Sequence, residues 1–432
     1  MENKLHDVRL DNGLRVLVKE VHTAPVASFW VWYRVGSRNE VPGMTGISHW
    51  VEHMLFKGTE RFPKGAIDRA IARAGGTFNA MTWMDFTAYF ATLPAQQIEL
   101  ALEIEADRMV NSRFEPDEVE AERTVILSER HMYENYPVFL LEEHVTAVAL
   151  LLHPYRHETI GWESDLRTMT RDDLYRHYRT YYTPNNATAV AVGDIDGEAM
   201  IDRIARAFGS IDPGPEIPPV RFQEPPQRGE RRVAVSGPGS TRYLHVAYRA
   251  PAATDADWPA LAVLDTILGG AKGYRGASPN SRTSRLYRAL VDGGLAAGVS
   301  TSLVPTVDPY LYTVTVTLLP DSDPQQVEEV LFREVDRLRQ EAITARELEK
   351  AKKQMRAQFA FSTESISSQA YWLGFSSIIA DVDWFTGYLG RLHGVSADDV
   401  QRVAREYLDA TRRTVGWYEP DSSAAGAVKS EE

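Results

Sequence analysis

A chain of 432 residues with 47 basic against 60 acidic side chains carries a formal charge of −13, which disfavours nucleic acid as a partner and suits either cationic peptides or plain solubility. Hydrophobic residues at 44% and charged residues at 25% describe a globular protein too long for one ordinary core, so two or three domains are expected. Cysteine is absent, which excludes disulfides and thiolate metal ligands, and no apolar run approaches the roughly eighteen residues of a membrane-spanning helix.

The opening Lys4-Leu5-His6-Asp7 and its three preceding residues lack the basic and apolar regions of a secretory signal. A cytoplasmic chain is expected, or a periplasmic one if a leader has been removed. Ile47, Trp50, Val51, Met54 and Leu55 form an apolar stripe of helical period, predicting a helix with limits near 44 and 57. On it lies His49-Trp50-Val51-Glu52-His53. Imidazoles at i and i+4 share one face about a turn apart, with Glu52 beside them, so both rings can meet one ion. This H-x-x-E-H order reverses the commoner H-E-x-x-H of zinc hydrolases. A catalytic zinc takes three protein ligands and leaves one position to water, so one more donor must come from elsewhere.

Phe78 to Phe90 is rich in aromatic and β-branched residues and predicts two strands of a hairpin. Pro116 to Met132 predicts a second amphipathic helix, on which Glu122 and Glu129 lie two turns apart on nearly the same face. Glu129 is a candidate for the missing ligand; other carboxylates here, such as Glu118 and Glu120, could equally belong to a solvated acidic face. Proline and glycine from Ile211 to Gly229 break every periodic pattern and mark a boundary. Across it the chain repeats itself: Thr170-Arg171-Asp172-Asp173-Leu174 followed by Tyr181 recurs, at the same offset throughout, as Ser396-Ala397-Asp398-Asp399-Val400 followed by Tyr407. Each copy reads as a helix N-cap with acids in the first turn, leading into a β-rich run at 187–192 or 413–417. A duplicated α+β domain accounts for this economically. The expected division is a catalytic domain at 1–212, a linker at 213–231, a second domain at 232–420 and a disordered tail at 421–432. Gly269 to Gly276 has neither glycine order of a phosphate loop and reads as a surface or mobile loop. In the second half Ala351 and Gln358 stand where the first has Glu122 and Glu129, so one metal site per chain is expected.

His49 to His53 with Met54-Leu55-Phe56-Lys57-Gly58-Thr59, Gly75-Gly76-Thr77-Phe78-Asn79-Ala80 with Asp85, Thr87 and Tyr89, and Glu122 to Glu129 occur in order. His153-Pro154-Tyr155, Ile160-Gly161, Tyr182 to Asn186 and Val192-Gly193-Asp194 follow them. Together they resemble the pitrilysin, insulinase and mitochondrial-processing-peptidase group of zinc peptidases. The resemblance implies two homologous domains, each a mainly antiparallel sheet packed by helices and joined by the proline-rich linker. It also implies one Zn2+ held by His49, His53 and Glu129, with Glu52 as general base and Glu122 as an auxiliary carboxylate. The first hairpin strand would be an edge strand beside the zinc, with Phe78, Asn79 and Ala80 meeting an extended peptide. Relatives carry an arginine and a tyrosine, seven apart, that hold the substrate carbonyl. Here Val291 and Ala297 stand at those positions, and Arg285, Tyr287 and Arg288 do not fit the spacing. The expectation is therefore a zinc endopeptidase subunit completed by a homologous non-catalytic partner in a heterodimer, otherwise a homodimer, sharing a closed chamber. The alternative is a zinc-containing peptide-binding or assembly subunit with negligible turnover.

Overall fold

The computed structural model describes residues 4–273, 276–277 and 282–421. The expected tail, from 422 on, lies outside the described residues. No described helix is long and apolar enough to cross a membrane.

The first unit comprises the described chain to Arg130, His157–Phe222 and Thr363–Phe385. Its strands are β1 (Leu5–Arg9), β2 (Arg15–Glu20), β3 (Val26–Tyr33), β4 (Thr77–Thr82), β5 (Thr87–Pro94) and β6 (Ala187–Gly193). They order as β1-β2-β6-β3-β5-β4, antiparallel except for the β2/β6 pair, so β4 is an edge strand. Every residue of β6 is buried and so are seven of the eight in β3, which is why these strands read as continuous apolar runs instead of alternating ones. The helices met along the first half are α1 (Ile47–Met54), α2 (Ala66–Arg73), α3 (Ile98–Asn111), α4 (Pro116–Glu134), α5 (Pro137–Ala149), α6 (Glu163–Thr168), α7 (Arg171–Tyr181) and α8 (Gly197–Phe208).

The second unit comprises His131–Arg156, Gln223–Ser362 and the chain from Thr386. Its sheet contains β7 (Arg231–Gly237) and β8 (Tyr243–Ala250). Helix α9 (Trp258–Gly269) is followed by the glycine-rich loop, where β9 (Lys272–Gly273) pairs with β10 (Gly276–Ala277) and residues 274–275 lie outside the described residues. Strands β11 (Ala296–Leu303), β12 (Tyr310–Leu318) and β13 (Arg413–Pro420) complete the sheet. The second half also carries α10 (Pro324–Gln340), α11 (Ala345–Ser362), α12 (Ile366–Ile379), α13 (Val382–Thr386), α14 (Tyr388–Gly394) and α15 (Ala397–Tyr407).

The order β7-β13-β8-β12-β11, with β13/β7 the single parallel pair, reproduces β2-β6-β3-β5-β4 strand for strand. The repeated sequence has the same physical role twice: Thr170 with Asp173 and Ser396 with Asp399 form reciprocal capping boxes at the starts of α7 and α15. The chain thus has an α+β fold of two homologous parts, with no helix or strand between Phe208 and Arg231. Each unit takes a segment from the other half, Thr363–Phe385 with α12 and most of α13 in the first and His131–Arg156 with α5 in the second, an exchange that contiguous boundaries at 212 and 232 do not describe.

In the first unit α12 lies on the sheet through aromatic contacts, Tyr371 meeting Trp30 and Trp32 edge-on at ring-centroid distances of 6.0 and 5.4 Å. Gly374 permits this approach, because a Cβ there would lie 2.0 Å from Trp32 Nε1. Alanine normally favours a helix over glycine by about 1 kcal/mol. Gly374→Ala is nevertheless expected to destabilise the protein by about 1–3 kcal/mol through overpacking, read as a lowered midpoint in urea denaturation.

Candidate metal centre

Helix α1 is shorter than the limits 44 and 57 suggest, for a steric reason. Gly46 adopts a left-handed φ of 87°, and a Cβ there would lie 2.4 Å from Ile160 O, so the helix starts at Ile47. Glycine offers no side chain to cap the first amides. Buried Glu40 does so instead, accepting from Gly46 N at 2.8 Å and Ser48 N at 2.9 Å. The loop before α1 is held by Asp165, whose Oδ2 accepts from Gly43 N and Thr45 N at 3.1 Å each and from Thr45 Oγ1 at 2.7 Å.

A second set of contacts sets α1 against α4. Trp50 is fully buried, and the Arg123 guanidinium lies 4.7 Å from its ring centroid. Arg123 also donates to Met169 O at 2.8 Å and to Leu166 O, so the stacked group is fixed at both ends. With the helices so placed, His49 Nε2 and His53 Nε2 each lie 3.8 Å from Glu129 Oε2, and their ring centroids are 4.5 Å apart. Those separations exceed a hydrogen bond. Donors about 2.1 Å from a tetrahedral ion stand about 3.4 Å apart, so the three groups fit a cation with a small inward movement.

Electrostatics distinguish the two imidazoles. Burial, with His53 adding to it, pushes His49 down to about 3, so its ring is neutral and has a lone pair to offer; its Nδ1 is buried without a hydrogen-bond partner. For His53 burial opposes protonation, but the bond to Glu122 and the nearby Glu52 and Glu129 carboxylates outweigh it and raise the value. Glu122 Oε1 lies 2.8 Å from His53 Nδ1, and its other oxygen pairs with Lys57. The carboxylate therefore fixes the ring so that Nε2 faces Glu129. Burial pushes Glu52 up, partly offset by Thr82, whose Oγ1 donates to Glu52 Oε2 at 2.6 Å. Nitrogen and oxygen donors of this kind suit zinc.

The remaining sequence-derived residues are distributed as follows. Phe78, Asn79 and Ala80 lie on edge strand β4, which Thr82 connects to Glu52. By strand alternation Phe78 and Ala80 share the face of Thr82, while Asn79 lies on the other face. Phe78 packs on Phe56 at 5.6 Å between ring centroids, and exposed Asn79 accepts from Ala80 N at 2.9 Å. Glu118 pairs with Lys64, and Glu120 with Arg123. In the second unit Val291 ends the helical turn Tyr287–Val291, Ala297 sits at a bulge in β11, and Arg285 is engaged by Glu347 at 2.9 Å. Sequence reading missed Thr82, Lys57, Arg123 and Glu40. Lys57 and Thr82 were within recognisable stretches, but nothing local marks Arg123 or Glu40, whose partners lie across the fold.

Residues 15–162 match the family model described as insulinase (peptidase family M16), and residues 168–355 match that of the peptidase M16 inactive domain. The chain is 30% identical over 423 residues to the zinc protease PqqE of Helicobacter pylori, covering 96% of this chain and 93% of that one. The crystal structure of a protease from Helicobacter pylori is similar with a TM-score of 0.91 at 29% identity, over 97% of this chain and 100% of the other. The periplasmic protease PqqL from Escherichia coli shares the fold at 20% identity and a TM-score of 0.79, over 98% of this chain but 49% of its own length.

If Glu122 orients His53 as the geometry indicates, Glu122→Gln weakens zinc binding by about 10–100-fold, measured by competition with a chromogenic chelator. Unchanged affinity would remove that role.

Proposed function

The chain belongs to the insulinase family of peptidases, M16, and from this we propose that it is a zinc-dependent endopeptidase subunit acting on extended or unfolded peptides in a closed chamber. The observation that carries the reading is the convergence of His49 Nε2 and His53 Nε2 on one Glu129 oxygen, with Glu52 beside them. His49, His53 and Glu129 would hold one zinc ion. When bound, the ion supplies Lewis acidity, lowering the pKa of water towards about 7 and polarising the scissile carbonyl.

The chain's own side chains divide the remaining work. Glu52 accepts the water's proton and passes it to the leaving amine. Thr82 holds its Oε2, which leaves Oε1 to receive that proton. Glu122 keeps the His53 ring in register. The outer edge of β4 offers unpaired main-chain groups to which a peptide can add as a further strand, giving affinity with little sequence preference. Phe78, Asn79 and Ala80 would flank that peptide. The cytoplasm is the compartment proposed, with the periplasm as the alternative.

Val291 and Ala297 provide no donors for the substrate carbonyl, and one such donor can contribute about 10²–10³ in rate. A homologous partner subunit bearing an arginine and a tyrosine would supply them. In support, PqqL is about twice as long as the part this chain matches, so two chains of this size would equal one of that kind. The same deficit favours a second reading, a zinc-containing peptide-binding or assembly subunit with negligible turnover.

Glu52→Gln is expected to lower cleavage of an unfolded peptide by at least about 10²-fold while zinc content by atomic absorption stays at one per chain. A wild-type chain that cleaves nothing even with its partner would leave only the binding reading. Full activity of the isolated chain would end the partner proposal.

A further inference from the structure

The chain is acidic overall, yet one cavity of about 570 Å3 in the second unit is basic. Arg285, Arg288, Arg346 and Lys350 line it, against a single carboxylate, Glu347. Glu347 is already committed, pairing with Arg285 at 2.9 Å and accepting from Thr344 N at 3.0 Å at the start of α11. The guanidinium groups of Arg288 and Arg346 have no acidic partner among the described residues. Among the described residues Lys350 Nζ has a main-chain acceptor alone, Thr283 O at 2.9 Å.

Two further observations point to an absent anion. Arg285 Nη1 is buried and has no hydrogen-bond acceptor among the described residues, although the other nitrogens of that group are bonded to Glu347. A buried cationic donor left unmatched costs free energy that a ligand oxygen would recover. Burial, followed by repulsion from Arg288, also holds Lys350 below its ordinary value. Four cations gathered around one cavity repel one another, and nothing in the protein's chemistry described above uses them.

We propose that this cavity binds an oxyanion, which Arg285, Arg288, Arg346 and Lys350 engage through charge-assisted hydrogen bonds. Two sources share that chemistry: a phosphate or pyrophosphate group, and the terminal carboxylate of a peptide. The inference stands apart from the peptidase reading, since binding is measurable whether or not the chain cleaves anything.

Isothermal titration of the full chain with sodium pyrophosphate, and separately with tetra-alanine as the free acid or the C-terminal amide, tests it. Binding of pyrophosphate or of the free acid is expected, weakened about tenfold by Arg288→Gln and by Lys350→Gln. It should persist in Glu129→Gln, which separates this cavity from capture at the metal centre. Pyrophosphate binding identifies a phosphate ligand; binding of the acid but not the amide identifies a peptide terminus. In anion-free buffer Arg288→Gln should melt at or above the wild-type temperature, because it removes only repulsion. No heat with any probe at millimolar concentration, binding that survives the Arg288→Gln/Lys350→Gln pair, or binding lost in Glu129→Gln overturns the proposal.

Discussion

The long side chains that link α1 to α4 are the constraint on which the candidate centre depends. A helix of eight residues is too short to persist alone, so the spacing of His49 and His53 becomes geometry only through contacts made elsewhere in the fold. Glu40 satisfies the first amides, Asp165 fixes the entering loop, and Trp50 against Arg123 sets the distance to the helix that carries Glu122 and Glu129. Each contact is long-range in sequence or buried, and together they bring three donors within 4.8 Å of one another. The metal-binding geometry is thus a property of the whole first unit.

Duplication gives that unit a counterpart with different side chains. Five strands of each sheet share an order and a single parallel pair, and both units repeat the capping box on the helix that precedes a strand of that pair. The backbones differ at the periphery, β1 and the β9/β10 pair having no counterpart, and the side chains differ within the shared part. Ala351 and Gln358 replace the glutamates on the corresponding helix, so the second unit keeps the backbone framework and drops the donor chemistry. Its polar investment lies in the basic cavity at the start of α11 and beside the turn that ends in Val291. The same scaffold therefore presents acids in one copy and cations in the other, consistent with function residing in grafted side chains and not in the fold.

The relation of β4 to α1 joins affinity to chemistry. Thr82 ends the edge strand and donates to Glu52, so the strand proposed to accept a peptide also holds the proposed base. Main-chain pairing along β4 would fix an extended chain beside the two imidazoles. Sequence preference would then come only from side chains such as Phe78, already packed on Phe56.

Much of this was legible in the residues themselves. The H-x-x-E-H spacing, the helical periods of α1 and α4, the hairpin and the repeated N-caps all follow from local patterns, because i, i+4 neighbours and capping boxes are satisfied within a turn or two. The cysteine-free composition fixed the donor types as nitrogen and oxygen. Local pattern left the third ligand open, placed the start of α1 too early, and passed over Glu40, Arg123 and Thr82. Nor did it show that α5 and α12 exchange sides. Those features depend on tertiary structure, since which carboxylate of a helix face lies near both Nε2 atoms, here Glu129, is set by how the helices cross. Helix crossing and burial are made by residues far apart in the chain.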